Sequence, residues 1–61
     1  MRYILEAYYR AANGQRVLAK FIVSDPIVSE DGIWCTHQNA WGGTVRCFHK
    51  MSSIVDFYKE N

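Results

Sequence analysis

The chain is poor in the features that announce a chemistry. Among its 61 residues are one proline, four glycines, two cysteines and two histidines. No apolar stretch approaches the roughly 20 residues a membrane-crossing helix needs. The first residues alternate charged and apolar groups; a basic start, an apolar run and a small-residue cleavage site are not found there, so no secretory signal is evident. Cytoplasm is the expected compartment, and its cysteines are ordinarily thiols. Charge of one sign is also lacking. Seven basic residues are scattered among six acidic ones, for a net charge of +1, which is not the footprint of a protein built to grip phosphates. Nucleic acid is therefore not the expected partner, and neither is a membrane.

There is no phosphate-cradling glycine loop, nucleophile elbow, internal repeat or linker. Asp25, Glu30 and Asp31 cluster around one loop, but Ser29-Glu30-Asp31-Gly32 is turn chemistry. A chain this short leaves little room for the cleft of roughly 300 Å³ or more that a small molecule occupies. The expectation is a protein that is not an enzyme and carries no cofactor.

What is present is apolar and aromatic. Hydrophobic residues make up 49% and nine residues are aromatic, so the chain folds, as one domain over residues 1–61. Its small size means that a metal, a disulfide or a second copy would be a natural supplement to the core. Arg2 to Arg10 and Arg16 to Val23 are two strand-like runs around Asn13-Gly14, a hairpin signal. A two-residue turn there places Leu5 opposite Ile22 and Tyr9 opposite Leu18 on one face, with Ile4 and Val23, and Tyr8 and Ala19, on the other. Both faces are then substantially apolar. That asks for cover on each side, and a homodimer is expected to provide one of them.

Asp25-Pro26 marks a bend or an edge position. Ile27-Val28 and Ile33-Trp34-Cys35 form a second hairpin, and Asn39 to Gly43 turns into a fourth strand from Thr44 to His49. The last segment carries Ile54, Phe57 and Tyr58 at i, i+3, i+4 spacing, with Ser53 and Asp56 arranged as a capping box. This predicts a short helix from about Ser53 to Glu60. The expected fold is α+β: a four-stranded antiparallel meander with the C-terminal helix packed on one face.

Two triplets, Cys35-Thr36-His37 and Cys47-Phe48-His49, contain every cysteine and histidine of the chain. On strands, each cysteine shares a face with its own histidine. A loop Trp41-Gly42-Gly43 sets Cys35 opposite His49, and a loop Ala40-Trp41-Gly42 sets Cys35 opposite Cys47. A Gly42-Gly43 turn separates the triplets. The apolar pattern favours a shared face, with Ile33, Cys35, Val45 and Cys47 together. Cys35, His37, Cys47 and His49 are the donor types zinc takes, although two flat Cys-x-His pairs lack the tight knuckle of standard zinc motifs. Packing, with the cysteines in the core and the histidines at its rim, is the preferred role. A disulfide and a Cys-His ion pair are lesser alternatives, the latter lacking a residue to orient the imidazole.

Trp34, Arg46 and Phe48 on the opposite face, with Trp41 at a turn tip, have the composition of a binding patch. The functional expectation is a small interaction module that occupies a surface on another protein. On size and architecture alone it resembles the compact inhibitors and adaptors that phages and other mobile elements carry. The alternative is a zinc-stabilised mini-domain that binds nucleic acid.

Overall fold

The computed structural model describes residues 1–60; Asn61, the last residue of the expected domain, lies outside them. The strands are β1 (Tyr3–Arg10), β2 (Arg16–Val28), β3 (Gly32–Gln38), β4 (Thr44–Lys50) and β5 (Ile54–Lys59), with a 3₁₀ turn, Met51–Ser53, before β5. They form one antiparallel sheet in the order β4-β3-β2-β1-β5. The fold is all-β, not α+β. Among the described residues there is no α-helix.

The expected C-terminal helix is strand β5, and the reason lies in a bulge. Phe57 pairs with Leu5 and Ile54 with Ala7, and the register shifts between these pairs, leaving Val55 without a partner on β1. One extra residue changes the parity of a strand. Ile54 and Phe57 therefore both face inward at a spacing of three, which imitates a helical stripe. Asp56 does not close a capping box; its carboxylate accepts the Phe57 N–H at 2.9 Å.

The first hairpin also departs from expectation by one residue. Its loop is Ala12-Asn13-Gly14, closed by Ala11 N–H donating to Gln15 at 2.8 Å and Gly14 N–H donating to Ala11 at 2.9 Å. Of Asn13 and Gly14, only Gly14 takes a positive φ, of 85°. Leu5 consequently pairs with Phe21 and Tyr9 with Val17. A slip of one residue turns β2 over relative to β1. The inner face becomes Tyr3, Leu5, Ala7, Tyr9, Val17, Ala19, Phe21 and Val23, and charged Glu6, Arg16 and Lys20 pass to the outer face beside Ile4, Leu18 and Ile22. The outer face of the hairpin is thus mixed, with Ile4, Tyr8, Leu18 and Ile22 set among charged residues, and it asks for cover less strongly than two apolar faces would.

The sheet covers itself. Laid flat, β4 and β5 would stand about 19 Å apart across four strand spacings. Only Met51–Ser53 joins them, and the four Cα steps from Lys50 to Ile54 reach at most about 15 Å even when fully extended. The edges must therefore curl toward each other, and the 3₁₀ turn packs on both β1 and β3. A bulge in β2 assists the bending: Asp25 and Pro26 stand where β3 offers only Cys35, with Asp25 at φ 50°. Proline is tolerated there because β1 pairs with β2 only as far as Val23. Leu5, Ala7, Val23, Ile33 and Cys35 are buried on the concave face, with Tyr3, Phe21, Ile54 and Phe57 packed around them. Burying an aliphatic side chain such as Leu5, Val23 or Ile33 is worth about 1.5–3 kcal/mol.

Candidate metal centre and outer aromatic face

The β3–β4 hairpin positions both candidate sites. Its loop is Ala40-Trp41-Gly42, the same arrangement as in the first hairpin: Asn39 N–H donates to Gly43 at 2.9 Å, Gly42 N–H donates to Asn39 at 3.2 Å, and Gly42 takes φ 80°. The Asn39 side chain fastens the loop by accepting from the Trp41 and Gly43 amides, each at 2.9 Å. This register pairs Cys35 with Cys47, Ile33 with His49 and His37 with Val45, all on the inner face. The two triplets therefore share a face, as their apolar neighbours suggested.

His37 and His49 lie on opposite strands, on the inner-face rungs either side of Cys35–Cys47. Their rings lean together over that rung, and their Nε2 atoms are 2.9 Å apart. Cys35 Sγ lies 3.6 Å from His37 Nε2. Phe21 of β2 stands against both rings, edge-on to His37 at 5.0 Å and tilted to His49 at 5.8 Å between centroids. Of the four expected donors, Cys35, His37 and His49 gather, their donor atoms within 4.8 Å of one another, and Cys47 is not in the group. Both cysteines are free thiols, Cys35 buried and Cys47 half-buried.

The surroundings favour neutral groups. Burial pushes the Cys35 thiol above its ordinary range; nearby Cys47 adds to the rise and Arg46 opposes it. Burial lowers both imidazoles, and for His49 the neighbouring His37 lowers it further. A protonated thiol beside neutral imidazoles is not an activated nucleophile. Thiolate and imidazole are donor types that zinc takes, and a thiol must give up its proton to act as one.

On the outer face, Ile27, Trp34 and Phe48 form one row across β2, β3 and β4. The Trp34 and Phe48 rings are tilted against each other at 5.3 Å. All three are exposed, at 61%, 47% and 38%. Arg46 sits on the next outward rung with Thr36. Its Nη1 donates to the Asp25 carbonyl at 2.6 Å and to Thr36 Oγ1 at 2.9 Å, holding the bulge. Trp41 stands apart at the loop tip, 90% exposed. The sequence named Trp34, Arg46 and Phe48 for this face but missed Ile27, because the bulge that aligns it with Trp34 was hidden in Asp25-Pro26. An open surface depression of about 330 Å³ is lined by Arg2, Ile22, Ser24, Thr36, Gln38 and Thr44, among others.

Comparison with protein-family models, with curated proteins and with solved structures finds no match for this chain.

Proposed function

We propose that the chain is a small protein-binding module that engages another protein through the outer face of β2, β3 and β4. The observation that supports this is the row Ile27, Trp34 and Phe48, three large apolar side chains side by side in solvent. The curled sheet already buries its concave core, so core packing gives these residues no reason to be apolar. Contiguous exposed apolar surface marks interaction sites, and tryptophan and arginine are the commonest anchors at their centres. Arg46, held in place on the bulge, presents its guanidinium beside the row at no further ordering cost. Trp41 adds a projecting ring that reaches past the rim. Blocking or adapting a partner by surface occupation requires nothing more of a chain this size. The dispersed charge gives no reason to prefer nucleic acid as the occupant.

Affinity capture from cells of the source organism tests the reading with wild type beside Trp34→Ser and Phe48→Ser. Proteins retained by wild type and lost by both variants, with unchanged circular dichroism, are the expected result. Equal capture by all three would remove the outer row from the reading. Light scattering at micromolar concentration separates the remaining case: a dimer that dissociates on Trp34→Ser makes a second copy the occupant.

A further inference from the structure

The concave face holds a cluster that protein binding on the outer face does not use. We propose that Cys35, His37 and His49 form a zinc site with its fourth coordination position open. Protein binding and metal binding rest here on opposite faces of the sheet, so either can fail without the other.

Two of the three separations lie close to those of a zinc shell; the third, from Cys35 Sγ to the His49 donor nitrogen, is within 4.8 Å and closes to about 3.6 Å as the His49 side chain adjusts. With Zn–S near 2.3 Å and Zn–N near 2.05 Å, tetrahedral angles put sulfur and nitrogen about 3.6 Å apart and two nitrogens about 3.3 Å apart. Cys35 Sγ and His37 Nε2 are 3.6 Å apart. His37 and His49 Nε2 are 2.9 Å apart, the length of an N–H···N hydrogen bond, and a side-chain adjustment of about 0.4 Å opens that pair to the metal spacing. In the metal-free pair one Nε2 carries a proton and the other accepts it. On binding, the imidazole that donated from Nε2 carries its proton on Nδ1 instead, the Cys35 thiol gives its proton to water, and two Nε2 lone pairs and one thiolate face the ion.

The donors are also set on firm ground. All three project from two paired strands, with Phe21 against both rings, and sites built on paired strands hold geometry better than sites on loops. Cys35 is fully buried at the floor, while His37 and His49 are half-buried and keep a way in from solvent. One thiolate and two imidazoles suit zinc, whereas magnesium and calcium take oxygen donors. Cys47 stands outside the donor group. The fourth position therefore belongs to water or to a donor from another molecule.

The test titrates Co²⁺, then Zn²⁺, into reduced, chelator-treated protein. One equivalent of Co²⁺ should produce a thiolate-to-metal charge-transfer band and tetrahedral d–d absorption, both removed by Zn²⁺. His37→Gln and His49→Gln should each weaken zinc binding about 100-fold or more. Cys35→Ser should lose the charge-transfer band, and Cys47→Ser should keep it. If Cys35→Ser does not fold, the two histidine variants and zinc-dependent shifts of the His37 and His49 ring nitrogens in wild type decide the matter. The proposal is overturned if wild type gives no charge-transfer band, if the band survives Cys35→Ser or disappears in Cys47→Ser, or if neither histidine variant weakens binding.

Discussion

Cys35 and Cys47 face each other across the β3–β4 ladder, yet only Cys35 is fully buried and only Cys35 keeps company with the two imidazoles. Two thiols related by a single rung thus have different surroundings, and their chemistry should separate.

Alkylation should reveal the difference. Cys35 is buried and its thiol is pushed above the ordinary range, so iodoacetamide should modify half-buried Cys47 first, because thiolate fraction and access both govern the rate. Peptide mass spectrometry over a time course reads the order, and preferential labelling of Cys35 would contradict the neutral, enclosed thiol described above.

Acid should weaken the metal-free fold. Burial lowers His37 and His49 below the ordinary 6.5, so the unfolded chain takes up protons at a higher pH than the folded one. Their contribution to stability is complete above about pH 6.5 and is lost as pH falls from there through the lower folded values. The urea midpoint at pH 7.5 should therefore exceed that at pH 5.5, and a His37→Gln/His49→Gln double variant should flatten the dependence.

Gly32→Ala should be among the most damaging single changes. A Cβ at Gly32 would overlap the His49 carbonyl oxygen and approach the Phe48 ring at 2.8 Å, and the oxygen belongs to backbone that cannot rotate away. Equilibrium urea unfolding should register a loss of about 2 kcal/mol or more. A loss below about 0.5 kcal/mol, ordinary for a surface change, would mean that β4 can shift away from β3.

Arg46→Met tests the clamp on the bulge. It removes the donor to the Asp25 carbonyl and Thr36 Oγ1 while keeping much of the aliphatic stem, and hydrogen bonds from a charged donor contribute about 1.5–3 kcal/mol. The groups are exposed and water replaces part of the loss, so about 1 kcal/mol is expected from the urea midpoint. Faster amide exchange at Ser24 and Thr36 should accompany it.

The C-terminal strand gives a check on the fold itself. Phe57 pairs with Leu5 and stacks on Tyr3 at 5.3 Å and 11°. Phe57→Ala should cost about 2 kcal/mol, below the full-burial range because the ring is only half-buried. Far-ultraviolet circular dichroism of wild type should show strand and no helical double minimum.

Local pattern located the strand-forming runs between Tyr3 and Lys50 and the places where the chain turns, and it favoured a shared face for the two Cys-x-His triplets, because each depends on period-two alternation and on glycine-rich turn residues. Pattern also singled out Trp34, Arg46 and Phe48 as outward-facing. Pairing decided the rest. Whether Asn13-Gly14 closes a two- or three-residue loop is a choice among closely similar local turns, and it fell to the register that puts Leu5 with Phe21 and removes Glu6 and Lys20 from the core. Ile54 and Phe57 fit a helix or a bulged strand equally well over six residues, and the unpaired edge of β1 settled the matter by offering hydrogen bonds from Tyr3 to Ala7. Curling then followed from the short link between β4 and β5, and with it the burial of Cys35 beneath His37 and His49. Which donors meet depends on the register of β3 against β4 and on Phe21 of β2 standing against both rings, relations between strands that no single run of neighbouring residues contains.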